Sequence, residues 1–350
     1  MAKLTGIKAV PARSAMIADT VAKETQMQLF TLSAAGDFGA AIAGALGTDL
    51  SPLEERGFED GEHKARPLVS VRGQDVYVVE RLNGDARESV NDRLIRLLFF
   101  LAAIKDDGAA RVTAVIPYLA YARKDRQTKA RDPVATRTIA RLIEATGADA
   151  VVTLDVHNLS AFQNAFRCRN WHLDTALHFC RHLAADLGSG PVAVVSPDAG
   201  GVKRAQLFRE MLERVTGRPA GAAFMEKRRS GGKVSGSLLV GEAKGATAII
   251  VDDMIVSGGT MVRAARALKE GGAGPVIAVA AHGLFTAGAD AALADPSIDR
   301  WFVTDTVPLT RLGPEAAARV EVVSAAPLVA EAIRRLSSNG SLVDLLDFPG

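Results

Sequence analysis

The stretch Ala246-Thr-Ala-Ile-Ile-Val-Asp-Asp-Met-Ile-Val-Ser-Gly-Gly-Thr260 holds an apolar run, two adjacent acids, a turn of small residues and the start of a helical pattern. Consecutive N–H groups at Val256, Ser257, Gly258, Gly259 and Thr260, with a helix N-terminus behind them, form a cradle for a phosphate. The hydroxyls of Ser257 and Thr260 can add hydrogen bonds to phosphate oxygens. Gly259 is the position expected to need a bare backbone, because a β-branched side chain would obstruct the ligand and resist a positive φ. Asp252 and Asp253 would repel a phosphate that they faced directly. One step away, they can accept hydrogen bonds from sugar hydroxyls. A loop that holds a phosphate at one end and a diol at the other suits a ribose phosphate.

Four other clusters have chemistry of their own. Phe58-Glu-Asp-Gly-Glu62 offers a ring for stacking and carboxylates that can accept from an amino group, although alone it reads as readily as a surface turn. Tyr121-Ala-Arg-Lys-Asp-Arg126, with Lys129 and Arg131, gathers five cations after a candidate strand, where a polyphosphate can sit. Leu154-Asp-Val-His157 ends another strand on a single imidazole, and Ser196-Pro-Asp-Ala-Gly-Gly201 ends the next on a carboxylate. A lone histidine is more often structural. Paired with Asp198, His157 would suit a partly hydrated Mg²⁺ that bridges phosphates and needs few protein ligands. Met225-Glu-Lys-Arg-Arg229 lies beside Gly231, Gly232 and Gly236, the composition of a closing lid or of a plain hairpin. His178 and His182 are four apart on a candidate helix and read as an exposed face rather than a metal pair.

Positioning these groups requires strands that end where helices begin. Strands are expected at Gln74–Glu80, Arg111–Ile116, Ala150–Leu154, Val192–Val195, Ala246–Val251 and Pro275–Ala280. Helices are expected at Asn91–Ile104, Val134–Thr146, Val202–Val215 and Thr260–Glu270. This alternation implies an α/β chain with mostly parallel sheets covered on both faces and ligands at the carboxyl ends of the strands. Gln74–Asn91 and Thr247–Thr260 read as degenerate copies of one unit. The net charge of +2 argues against a nucleic-acid partner, so any polyanion must be held by local clusters. Two cysteines without C-x-x-C spacing fit a reducing cytoplasm. The longest apolar run, Leu97 to Ile104, is too short to span a bilayer, so no membrane partner is expected.

In order along the chain, F-x-D-G-E, N-D-x-L, I-P-Y-x-x-Y-A-R, D-x-H, S-P-D-x-G-G, K-R-R and the V-D-D-M-I loop resemble the ribose-phosphate pyrophosphokinases from Met27 to about Arg311. The V-D-D-M-I loop alone also resembles that of type I phosphoribosyltransferases. A transferase acting on a nucleobase has no reason to carry the first and third motifs. A non-catalytic regulatory relative would be expected to have lost catalytic groups that are present here.

The resemblance implies two similar type I phosphoribosyltransferase-like domains. Residues 1–26 would be an extension, 27–172 an ATP-binding domain and 173–312 a ribose 5-phosphate domain, with 313–350 packing back on the first. Phe58, Asp60, Gly61 and Glu62 would hold adenine, and Arg123 and Lys124 the nucleotide's phosphates. His157 and Asp198 would bind Mg²⁺, Lys227 and Arg229 would stabilise the transferring group, and Asp252, Asp253 and Val256–Thr260 would bind ribose 5-phosphate. ATP and ribose 5-phosphate are the implied partners, in a dimer-based homo-oligomer of up to six chains. Three positions depart from the common bacterial pattern. Val256 stands where an aspartate is usual, Lys124 replaces a glutamine, and Leu32–Asp37 lacks an asparagine-containing turn.

Overall fold

Valine- and isoleucine-rich runs without polar alternation belong to strands buried on both faces, and these runs build two parallel sheets. The computed structural model describes residues 27–230 and 233–346, with backbone alone at 227–230, 233–237, 344 and 346. The extension before residue 27 lies outside the described residues.

In the first half the elements run β1 (Met27–Thr31), α1 (Gly36–Leu46), β2 (Leu53–Gly57), β3 (His63–Pro67), β4 (Asp75–Val79), α2 (Val90–Asp106) and β5 (Arg111–Ile116). They continue with α3 (Ala135–Ala145), β6 (Ala150–Leu154), α4 (Leu159–Ala165) and β7 (Arg169–Leu173). Strands β1-β4-β5-β6-β7 form a parallel sheet in that order, and β2 and β3 make a separate antiparallel hairpin.

In the second half come α5 (Ala176–Ala184), β8 (Val192–Ser196), α6 (Val202–Thr216), β9 (Gly221–Ser230), β10 (Lys233–Gly241), β11 (Thr247–Ile255), α7 (Gly259–Glu270) and β12 (Val276–Gly283). Then follow α8 (Ala289–Leu293), β13 (Arg300–Thr304), α9 (Pro314–Ala317), β14 (Val320–Val323), α10 (Ala326–Ser337) and α11 (Val343–Leu346). Their sheet runs β10-β9-β8-β11-β12-β13-β14, with β10 antiparallel to β9 and the other pairs parallel.

Both halves follow one plan: a strand and helix, a hairpin, a strand and helix, then three strands. The connections β4–α2 and β11–α7 therefore hold the same place in each half. Each sheet is sandwiched. Leu97, Phe100 and Leu101 of α2 cover one face of the first sheet; Phe38 and Ile42 of α1, with Val329 and Ile333 of α10, cover the other. Each such fully buried side chain stabilises the fold by about 2 kcal/mol. The chain thus returns from β14, in the second sheet, to seal the first. Around the second sheet Met261 and Leu268 of α7 lie on one face, and Phe179 of α5 with Phe208 and Leu212 of α6 on the other.

The expected strands at 111–116 and 150–154 have the observed bounds. Two strand ends need correction. β11 does not stop at Val251 but continues to Ile255, and β12 does not stop at Ala280 but continues to Gly283, because the two pair on through Asp252↔Ala280, Met254↔His282 and Ile255↔Gly283. The two acids therefore lie within a strand. The His178/His182 face is also not simply solvated: His178 Nε2 lies 2.7 Å from the carbonyl oxygen of Ser324, and His182 packs edge-on against Phe302.

Candidate active site

At the carboxyl end of β11, Asp252 and Asp253 meet groups from two other segments. Asp253 is buried. Its Oδ2 lies 3.0 Å from His157 Nδ1, just past β6 of the first half, and its Oδ1 lies 3.2 Å from Arg204 Nη1, in the first turn of α6. Arg204 Nη1 also reaches Asp252 Oδ1 at 3.0 Å, and Nη2 donates to the His157 carbonyl at 3.4 Å. One guanidinium thus ties the acids of the second half to the imidazole segment of the first. The hydrogen bond to Asp253 raises the pKa of His157 against the effect of its partial burial. Burial pushes Asp252 up to about 7. Burial would raise Asp253 too, but the hydrogen bond from His157 and the charge of Arg204 hold it well below the usual carboxylate range.

The turn after β11 is open. No hydrogen bond links the N–H groups of Val256, Ser257 or Gly258 to another described residue. The first N–H groups of α7 are unsatisfied by helix geometry. The N-cap, Gly258, has no side chain to cap them and lies at φ 78°. The turn is held from behind, where the Val256 carbonyl accepts from Thr286 N at 2.7 Å and from Thr286 Oγ1 at 3.3 Å. Unsatisfied donors at the positive end of a helix dipole attract an anion. Gly258, not Gly259, is the residue that needs a bare backbone. A Cβ on Gly258 would lie 2.6 Å from Ala292 Cβ, whereas one on Gly259 would make only ordinary contacts, the nearest 3.5 Å from Arg263 Nη1.

The other expected residues fall at varied places. Asp198 Oδ1 accepts from the N–H groups of Gly200 and Gly201 at 2.9 and 3.0 Å. Arg123 is exposed, while Lys124 is turned into its own loop by Asp132 and by Thr128 Oγ1 at 3.0 Å. That loop is joined to the imidazole segment through Asn158 Nδ2, which donates to Asp125 at 2.7 Å. Phe58, Asp60, Gly61 and Glu62 form the tip of the β2–β3 hairpin, with local hydrogen bonds such as Phe58 N to Glu62 O at 2.8 Å and Glu62 N to Asp60 Oδ1 at 3.1 Å. Arg56 lies over the Phe58 ring. The backbone of Lys227 and Arg229 is in β9, paired with Ser237 and Val234 of β10, and their side chains lie outside the described residues.

Two residues at the junction escape sequence reasoning. Arg204 had a faint signal, a cation in the first turn of a helix opened by Gly200 and Gly201. His282 had none beyond an imidazole inside an apolar strand. It is fully buried, its Nε2 lies 3.2 Å from the Leu154 carbonyl and its Nδ1 2.8 Å from Thr306 Oγ1. A carbonyl can only accept, so Nε2 donates and Nδ1 accepts from the hydroxyl. Burial lowers the pKa of His282 to about 4, which keeps the ring neutral. Tyr118, from the segment that leads to Arg123, packs edge-on against it. His282 thereby braces β12 against β6 just before Asp155, whose left-handed φ of 37° turns the chain toward His157.

Comparison with known proteins gives this junction a family. Residues 27–147 match the N-terminal domain of ribose phosphate pyrophosphokinase, and residues 230–347 the phosphoribosyl synthetase-associated domain. The ribose-phosphate pyrophosphokinase of Caldanaerobacter subterraneus is 37% identical over 91% of this chain and 97% of its own. That of Wolinella succinogenes is 35% identical over 91% of this chain and 98% of its own. The chain belongs to the ribose-phosphate pyrophosphokinase family. The crystal structure of phosphoribosylpyrophosphate synthetase from Mycobacterium smegmatis superimposes with a TM-score of 0.80 at 32% identity, covering 90% of this chain and all of that one. Membership of this family makes the chain an enzyme of α/β fold, as its motifs imply. His157 and Arg204 hold Asp252 and Asp253 in one cluster drawn from both halves. Two acids expected to serve alike are placed differently: Asp253 has both oxygens engaged, while Asp252 has one engaged by Arg204 and the N–H of Asp253 and is more exposed.

Proposed function

We propose that the chain transfers the β,γ-pyrophosphate of ATP to O1 of ribose 5-phosphate, giving phosphoribosyl pyrophosphate and AMP. The observation that carries this reading is the open N–H cradle at Val256–Gly258 beside an acid, imidazole and guanidinium cluster drawn from both halves. The cradle takes the 5-phosphate, with Ser257, Gly259 and Thr260 completing it. Asp252 accepts from a sugar hydroxyl, and Asp253 orients His157. Phe58, Asp60, Gly61 and Glu62 hold adenine; Arg123 and Lys124 meet the nucleotide's phosphates, Lys124 after leaving Asp132. Two domains, 27–172 and 173–312, each contribute one substrate, with 313–350 bracing the first.

The residues present fit a Mg²⁺ ion. With its Nδ1–H donated to Asp253, His157 keeps the lone pair of Nε2, the arrangement in which a carboxylate fixes a ligand imidazole. Asp198 keeps Oδ2 without a hydrogen-bond partner among the described residues. No group of three or more potential ligands occurs among the described residues, so water and phosphate oxygens would complete the shell. When bound at His157 and Asp198, Mg²⁺ offsets negative charge on the polyphosphate.

O1 attacks the β-phosphorus, and the bond from that phosphorus to the α,β-bridging oxygen breaks. AMP leaves with the bridging oxygen, and the O1 proton passes to solvent. The chain contributes alignment of the two substrates and positive charge from Lys227 and Arg229 on the transferring group. A homo-oligomer is part of this reading. Phe99 and Ile95 of α2 are exposed, Phe99 stacks on His63 of the hairpin, and exposed Phe58 lies at the hairpin tip, an apolar surface of the kind that partners cover. A cytoplasmic setting fits two free cysteines and the absence, among the described residues, of a helix long and apolar enough to cross a membrane.

The test is incubation with ATP, ribose 5-phosphate and Mg²⁺. AMP and phosphoribosyl pyrophosphate should form one to one, and release of ADP instead would overturn the reading. In the same assay Lys227→Ala should lower turnover at least about a hundredfold, or roughly 2.7 kcal/mol, with smaller changes in the Michaelis constants.

A further inference from the structure

We propose that Arg263 of α7 is a phosphate-binding residue of the sugar-phosphate cradle, its guanidinium gripping the 5-phosphate beside Gly259 and Thr260. The inference rests on the reading of Val256–Thr260 as that cradle. A long side chain in a helix lies back over the turn N-terminal to its own Cα. Arg263 is the fifth residue of α7, so the surface it covers is the helix's first turn. Arg263 Nη2 donates to Thr260 Oγ1 at 3.0 Å, and Nη1 lies 3.5 Å from the point where a Cβ on Gly259 would be. The guanidinium is thus held at the mouth of the cradle, over its two last members.

Its charge is also uncommitted. Among the described residues Arg263 forms no ion pair, whereas Arg266 pairs with Asp295 and Lys269 with Asp299 on the same helix. The first turn of α7 has no acid, and Val256 brings none to the turn before it. A helix N-terminus supplies about half a positive charge to a bound anion, short of what a phosphate dianion needs. A planar guanidinium adds a full charge and can donate two parallel hydrogen bonds to phosphate oxygens. Thr260 serves as its rest, holding the fork in place and lowering the entropy lost when the phosphate arrives.

Steady-state kinetics on the full-length enzyme test this with Arg263→Met and Arg263→Lys. The methionine variant should raise the Michaelis constant for ribose 5-phosphate at least fivefold and change that for ATP less than twofold. Lysine should restore part of the loss, since it returns the charge without the fork. Arg266→Met removes the same charge one turn along and serves as control, with both constants as in the parent. A rise below fivefold in Arg263→Met, equal rises for both substrates, or an equal effect in Arg266→Met would overturn the role of Arg263. Failure of the underlying reading looks different. If Gly258→Val also leaves the ribose 5-phosphate constant unmoved, the cradle itself is misassigned; if Gly258→Val raises it and Arg263→Met does not, only the arginine is.

Discussion

β4 and β11 hold the same place in the two halves, but the connections that leave them end in opposite ways. After β4 the chain is closed by its own charges. Glu80, Arg81, Asn83 and Arg93 are each no more than 3% exposed. Arg81 donates to the Ala34 carbonyl and to Asp37, and reaches the Asp305 carbonyl of the second half at 3.2 Å. The helix that follows is capped internally: Ser89 Oγ accepts from Asp92 N at 3.2 Å and Asp92 returns the bond to Ser89 N at 2.7 Å. After β11 the turn is glycine and serine, the helix has no side-chain cap, and the N–H groups of Val256, Ser257 and Gly258 have no partner among the described residues. One scaffold thus yields a sealed junction and an open turn, according to whether the helix N-terminus is satisfied from within. Substitutions in the first connection should therefore register in stability, and those in the second in substrate use.

The largest expected effect is at Gly258. Valine there meets Ala292 and a positive φ together, so kcat/KM for ribose 5-phosphate should fall at least about a thousandfold, roughly 4 kcal/mol. Gly259→Ala, one residue on, should lose far less, and equal losses would dissolve the contrast between the two glycines.

Glu80 comes next, and its readout is unfolding as a function of pH. Burial raises its pKa from 4.5 to about 8. Between those values the folded state binds more protons than the unfolded one, so this residue makes stability fall as pH rises. Glu80→Gln should accordingly be more stable than the parent at pH 8, by something on the order of 2 kcal/mol, with the difference vanishing below about pH 5. A variant less stable at pH 8 would mean that the hydrogen bond from Arg81 N and the charge of Arg93 outweigh the burial of the carboxylate.

Val256→Asp introduces the aspartate that the motif resemblance leads one to expect there and should leave activity within about tenfold of the parent, under roughly 1.4 kcal/mol, because on the proposed reading backbone N–H groups make the cradle. Activity raised by orders of magnitude would show that the chain's own valine impairs the site. The smallest effect is expected from Ser89→Ala, about 1 kcal/mol of stability from the lost cap with no change in either Michaelis constant. A raised constant would place the first connection in the binding machinery after all.

Much of this was legible in the residue order. Strands β5 and β6 could be bounded to the residue because short β-branched runs there lie between glycine on one side and proline or aspartate on the other. The strand, turn and helix order at 247–270 was legible because glycine and serine after a buried apolar run mark a turn into a helix. Helices α1 and α10 and the paired strands β2 and β3 were not, since their patterns are short or depend on partners distant in the chain. Strand β11 outran its expected end because pairing with β12, rather than local composition, decides where a strand stops.

The α/β class, the family and the set of chemical groups follow from local periodicity and from motifs read in order. Which of those groups meet depends on how the two sheets pack. Arg204 joins Asp252 and Asp253 to the His157 segment, His282 locks β12 to the carbonyl of Leu154, and Gly258 rather than Gly259 occupies the strained turn. The reason is physical: hydrogen bonds and buried charge pairs depend on distances between residues tens to more than a hundred positions apart, and those distances exist only once both sheets are packed.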